Sequence, residues 1–233
     1  MVIEDLKLML FFLKETAGGV DTNLLVYRKP TKINRSDSCP AGMGGYSSDG
    51  FAWRFYIPLE FKFRASKNLL EHLATVITPW VDIIEKRLGP GYCSLSMTYS
   101  STSEGWLKKS NFVEEVEDAI QATIRLEVSR GDTKRMMKNK IKNYAQWFPR
   151  SMKYVSDALS SDDDRSDEEL INIFRTFTSS QIPYHFKIVP LSSEISSWLT
   201  SLLQRLPVKD QLRERHVWTK LGRGQYGKNT ADQ

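Results

Sequence analysis

The sequence predicts an α/β fold built on a mixed sheet, and three observations predict it. Short β-rich segments and longer helical segments follow the order three strands, helix, strand, helices, strand, helix. Glycine and proline clusters separate them. Hydrophobic residues make up 40% and charged residues 26% of the chain, the balance of a chain with a core. Its 233 residues allow one full domain plus an appendage. The longest apolar run, Leu8 to Leu13, is far short of the roughly 20 residues a membrane span needs, so no membrane partner is expected.

Residues 4–15 read as a short amphipathic helix that the Gly18-Gly19 pair ends. Thr31 to Asp37 has strand character. Gly42, Gly44 and Gly45 punctuate the next stretch, which reads as a hairpin of strand, glycine-rich stretch and strand. The Ser48-Asp49-Gly50 turn then leads into the aromatic strand Phe51 to Ile57. From Ser66 to Leu88, apolar residues at 69, 70, 73, 76, 77, 80, 81, 84 and 88 have helical period. Ser66 is the expected N-cap, Pro79 an expected kink, and Gly89-Pro90-Gly91 the expected stop. Cys93 to Thr98 is a short strand, 101–109 and 112–128 are helices, and Ile141 to Phe148 is a strand. Asp157 opens the last helix of the domain.

After residue 160 the character changes. The acidic run Ser160 to Glu169 reads as a solvated linker. Leu170 to Phe177 and Ile195 to Leu206 read as short helices, and the glycine-containing basic end beyond Lys209 reads as disordered. The expected divisions are therefore 1–30, 31–160 and 161–233. Glu4 and Asp5 stand where a signal peptide would carry basic residues, and Cys39 and Cys93 form no disulfide framework. An intracellular site, cytoplasmic or nuclear, is expected.

Net charge is +5, but it is unevenly spread. Arg130 to Lys153 holds eight basic residues and one acidic residue. Such a stripe either solvates a helix face or binds a polyanion, because Lys and Arg on phosphates release counterions.

Four positions carry the chemistry. Asp37 ends the first strand, Glu71 lies early in the long helix, Tyr99 follows the fourth strand and Asp157 begins the last helix. With the first and fourth strands adjacent, their C-terminal ends meet at a topological switch point, where α/β sheets place their sites. Carboxylates converging there suit hard divalent cations. Glu71 sits between Leu70 and Leu73, where an unpartnered carboxylate is costly. His72 points away from it, and the two cysteines read as reduced, packed residues.

Ser36-Asp37-Ser-Cys-Pro-Ala-Gly-Met-Gly-Gly-Tyr46 resembles the Asp-x-Ser, Gly-x-Gly-Gly strand pair of retroelement ribonuclease H domains. Asn68-Leu-Leu-Glu71-His-Leu-Ala74 resembles their carboxylate-bearing helix, and Met97-Thr-Tyr-Ser100 stands where they carry Thr-Asp-Asn or Thr-Asp-Ser. Val155-Ser-Asp157-Ala-Leu-Ser160 is similar to their closing Ala-Asp-Ala-Leu-Ser. Asp5 to Pro30 resembles the segment that joins polymerase to ribonuclease H, and the DIRS-like elements are the nearest in flavour.

The resemblance implies a five-stranded mixed sheet flanked by helices. It implies hydrolysis of the RNA strand of an RNA–DNA hybrid by two Mg²⁺ or Mn²⁺ ions, with Asp37, Glu71 and Asp157 as metal ligands. It further implies that Trp106, Lys108, Lys109, Lys134, Arg135, Lys138, Lys140 and Lys142 grip the hybrid through its phosphates and bases.

The chain departs from that pattern in ways that predict weak or absent cleavage. Tyr99 replaces the third carboxylate, and a neutral phenol is a poor Mg²⁺ ligand. The loop before Asp157 reads Pro149-Arg-Ser-Met-Lys-Tyr-Val155, without the usual Gly and Asn, and Ser161 stands for an Arg. Tyr99→Asp is therefore expected to raise cleavage. No Tyr-x-Asp-Asp polymerase motif is present, so the chain reads as a fragment or decayed copy of a polyprotein. A non-catalytic nucleic-acid-binding or scaffold domain of the same fold is the alternative.

Overall fold

The computed structural model describes residues 2–17, 29–98, 115–147, 153–162 and 164–207. Helix α1 spans Val2–Thr16, strands β1, β2 and β3 span Lys32–Cys39, Gly42–Ser47 and Phe51–Tyr56, and helix α2 spans Lys67–Ile84. Strand β4 (Cys93–Thr98), helix α3 (Glu115–Lys138), strand β5 (Lys142–Trp147) and helix α4 (Tyr154–Ser161) follow. The described chain then runs through helix α5 (Asp167–Phe177), the two-residue strand β6 (Lys187–Ile188) and helix α6 (Ser193–Gln204).

The strands form one mixed sheet in the order β5-β4-β1-β2-β3-β6. β1, β2 and β3 are an antiparallel meander. β4 is parallel to β1, β5 parallel to β4, and β6 parallel to β3. The expected α/β class and mixed sheet are present, with a sixth strand where five were expected.

Helices cover both faces, so β2 is buried at every residue and β1 at three successive residues, Ser36 to Ser38. One face packs Met43 and Trp53 against α2, α3 and α6. The other packs Tyr46 and Ala52 against α4 and α5.

The glycines of β2 set how closely those helices lie. A Cβ on Gly44 would stand 2.6 Å from the Leu159 Cβ on α4. A Cβ on Gly45, on the opposite face, would collide with the Thr78 hydroxyl of α2. The glycine-rich part of the expected hairpin is thus a strand whose missing side chains admit a helix on each side.

Helix α2 starts where expected: the Ser66 hydroxyl accepts the Leu69 amide at 3.3 Å. It runs on past Pro79 but ends at Ile84, before the glycines. Lys86 takes the left-handed conformation (φ 56°). The Arg87 amide then donates to Asp82 O at 2.8 Å and the Lys86 amide to Ile83 O at 3.0 Å, the Schellman closure usually built on Gly.

Two further differences concern the helices. α3 continues through Gly131 to Lys138, so much of the basic stripe forms its last turns. The acidic run expected to be a linker ends inside α5, whose first turn is Asp167-Glu168-Glu169. The Ser166 hydroxyl accepts the Glu169 amide at 3.2 Å, and the Glu169 carboxylate accepts the Ser166 amide at 2.8 Å. Asp167, Glu168 and Glu169 face the positive end of the helix dipole, which favours acids there.

The core does not end at residue 160. Leu170 and Phe174 of α5 and Phe186 are buried beside Tyr46, with the Phe174 and Phe186 rings edge to face at 5.8 Å. Ile195, Leu199, Leu202 and Leu203 of α6 are buried against α2, and Trp198 meets Trp80 edge to face at 5.0 Å. The expected boundary therefore falls inside the packed unit. Residues 208–233, expected to be disordered, lie outside the described residues.

Candidate functional site

Strand order brings the C-terminal ends of β1 and β4 side by side, with Ser36 opposite Thr98. Asp37 lies there on the face that α4 covers, only 2% exposed. Glu71, in the second turn of α2, is 1% exposed. Asp157, in the first turn of α4, keeps a side chain that is 62% exposed. These three residues, chosen from the sequence, converge at one end of the sheet.

Between them stands a residue that sequence reasoning missed. The Lys153 ammonium lies 2.8 Å from Asp37 Oδ1 and 3.8 Å from Asp157 Oδ1. Lys153 is the residue from which α4 starts, one turn before Asp157, and the Asp157 amide donates to its carbonyl at 2.9 Å. The available signal was this Lys-x-x-x-Asp spacing, which stacks the two side chains on one helix face. The Ser160 hydroxyl reaches Asp37 Oδ2 at 3.5 Å, and the Cys39 thiol donates to Ser160 O at 3.1 Å. Together they tie the end of β1 to α4.

Electrostatics follow from the burial. Desolvation pushes the Asp37 carboxyl above the usual range, the Lys153 ammonium pulls it back, and the neighbouring Asp157 carboxyl adds to the rise. Desolvation also raises Glu71, Lys67 opposes it at 3.6 Å, and the Asp37 charge raises it further. The second Glu71 oxygen, Oε2, is buried with no hydrogen-bond partner among the described residues.

A pair of divalent ions is a poor fit for this arrangement. The orphaned Glu71 oxygen calls for a positive partner, but an ammonium already contacts Asp37. Tyr99 supplies no carboxylate. Among the described residues no group of three or more His, Cys, Asp or Glu is arranged to hold a metal ion. The cluster as it stands neutralises buried carboxylates with a lysine. An ammonium donates hydrogen bonds, offers no open coordination position and cannot acidify water.

The sequence-selected hybrid contacts are scattered. Trp106, Lys108 and Lys109 lie outside the described residues, as does Tyr99. Arg135 is turned inward, its guanidinium 3.6 Å from the Trp80 ring centroid and 3.5 Å from Asp132. Lys138 and Lys140 are exposed, and Lys134 and Lys142 half-buried. Lys142 pairs with Cys93, the first residue of β4. It therefore sits at the opposite end of the sheet from Asp37, about 20 Å away along the strands at ~3.3 Å per residue. The fold brings the carboxylates together but places Lys140 and Lys142 at the far end.

That far end carries its own ionic network. Lys32, 4% exposed at its side chain, bridges Asp49 at 2.7 Å and Asp82 at 3.1 Å. Arg87 pairs with Asp82 at 2.7 Å and lies over the Phe51 ring. These ion pairs staple the start of β1 to the end of α2. His72 is buried against α3, with Nε2 3.3 Å from the Ser129 hydroxyl, and desolvation holds its pKa down at about 4. It is a neutral packing residue, as its position beside Glu71 suggested. Cys39 and Cys93 are both free thiols.

No described helix is long and apolar enough to cross a membrane. No protein-family model, curated protein or solved structure matches the chain.

Proposed function

We propose that the chain is a ribonuclease H-like domain of retroelement type that binds RNA–DNA hybrid or a related nucleic acid and cuts it weakly or not at all. The observation that carries this reading is the convergence of Asp37, Glu71 and Asp157 at the C-terminal end of β1, within the strand order β5-β4-β1-β2-β3. Motifs that are individually weak and well separated in sequence meet at one place, as that family's carboxylates do. The sixth strand and α6 are additions outside the resemblance.

The same cluster argues against efficient hydrolysis. Lys153 contacts Asp37, and position 99 lacks its carboxylate. Binding would rest instead on exposed lysines of the basic stripe, such as Lys138 and Lys140 on and after α3, which contact phosphates without reading sequence.

A titration of labelled RNA–DNA hybrid with the whole chain tests the reading, run in EDTA, in Mg²⁺ and in Mn²⁺. Expected is salt-dependent binding in all three media, with cleavage at or near background. Rapid Mg²⁺-dependent cleavage would overturn the impaired-nuclease part. Absence of binding at low salt would leave a scaffold role in its place.

A further inference from the structure

We propose that Lys153 is the built-in cation of the carboxylate cluster, standing in for a divalent metal ion beside Asp37, and that the cluster takes up a divalent ion once this ammonium is removed. The inference deepens the ribonuclease H-like reading and rests on it for why the carboxylates are there.

Four observations carry it. The ammonium is within direct contact of a carboxylate that is itself 1% exposed, and the Lys153 side chain is only 11% exposed. Swinging it out to solvent would strand a buried charge. Its backbone is also pinned. The Lys153 carbonyl accepts the Asp157 amide at 2.9 Å and the Ser156 hydroxyl at 3.0 Å, in a helix pressed on the sheet where Gly44 meets Leu159.

Third, a Mg²⁺ ion at its usual ~2.1 Å from Asp37 Oδ1 would stand within about 5 Å of the ammonium, two like charges at a desolvated oxygen. Fourth, Glu71 Oε2 is buried and unpartnered, so the cluster keeps an unmet demand for positive charge on its α2 side. Replacing Lys153 would leave the buried Asp37 and Glu71 carboxylates with the mostly exposed Lys67 as their nearest cation.

This also gives the domain a property its resemblance would not. With charge supplied by the chain, the fold around Asp37 holds together without divalent ions, and nucleic-acid binding needs none.

The test is thermal unfolding of the full chain in EDTA and in millimolar Mn²⁺ or Mg²⁺, for the wild type, Lys153→Gln and the smaller Lys153→Ser. The wild-type midpoint should be the same in every medium. The variants should melt about 5 °C higher with Mn²⁺ at roughly a hundred times its dissociation constant. Asp37→Asn in the Lys153→Gln background should abolish that rise.

A wild type stabilised by Mn²⁺ as strongly as Lys153→Gln overturns the proposal. So does a folded Lys153→Gln that ignores both ions. Variants that fold only when Mn²⁺ is present uphold it, and variants that fold in neither medium overturn it. Nucleic acid takes no part in this readout, so a failure of hybrid binding would remove the functional reading and leave the lysine-for-metal assignment standing.

Discussion

At the scale of single residues, two positions separate this cluster from a hydrolytic one. Tyr99 withholds a carboxylate, and the Lys153 ammonium contacts Asp37 at 2.8 Å. From the sequence alone, Tyr99→Asp is expected to raise cleavage. With Lys153 in contact with Asp37, the single substitution should leave cleavage of labelled hybrid in Mn²⁺ at background. Tyr99→Asp combined with Lys153→Gln should raise it at least tenfold, a barrier change of about 1.4 kcal/mol. Equal rates for the single and double variants would show that the ammonium is no obstacle. Asp37, Glu71 and Asp157 were readable because each lies in a recognisable local pattern. Lys153 was not singled out, because in sequence it is one more lysine at the end of a basic stripe.

At the scale of elements, α6 and α5 matter most, because the acidic run between 160 and 169 suggested that the domain had ended. Charge density alone cannot tell a solvated linker from the first turn of a helix. What distinguishes them is the Ser166–Glu169 reciprocal cap and the apolar spacing that follows, Leu170 and Phe174 on one face. Leu199 of α6 is fully buried against α2, so Leu199→Ala should destabilise the protein by about 3 kcal/mol through lost burial and the cavity left behind. Chemical denaturation measures this directly. A change below about 1 kcal/mol would mean that α6 is a loosely attached appendage, as the sequence had suggested. Helix α1 contrasts with it. Ile3, Leu6, Met9 and Leu13 remain exposed, and the helix lies beside α3, to which the Asp5–Arg130 ion pair ties it.

At the scale of the whole molecule, charge is divided between the two ends of the sheet. The carboxylate cluster lies at the C-terminal ends of β1 and β4. Lys138, Lys140 and Lys142 gather near the N-terminal end of β5. If these lysines hold phosphates, they do so away from the cluster and independently of it. Lys138→Gln with Lys140→Gln should therefore lower the slope of log affinity against log salt by about 2, close to 0.9 per lost phosphate contact. The Mn²⁺ response of a Lys153→Gln background should not change. Binding measured across roughly 50 to 200 mM salt decides it, and an unaltered slope would move the nucleic-acid interface elsewhere.

The alternation of strands and helices, the Ser66 cap, the long period of α2 and three of the four cluster residues could all be read from the chain alone. They depend on local patterns of a few residues, which survive without knowledge of what packs against them. Other features depended on partners distant in sequence. The glycines of β2 read as part of a hairpin, but the reason for them lay in Leu159 and Thr78, which pack against them from opposite faces. The acidic run read as a linker until the sheet gave Leu170 and Phe174 something to bury against. Arg135 read as a phosphate contact until Trp80 lay under it. Lys153 became a cation for Asp37 only when α4 folded across β1, because a charge's role is set by the oppositely charged group that burial leaves it to face.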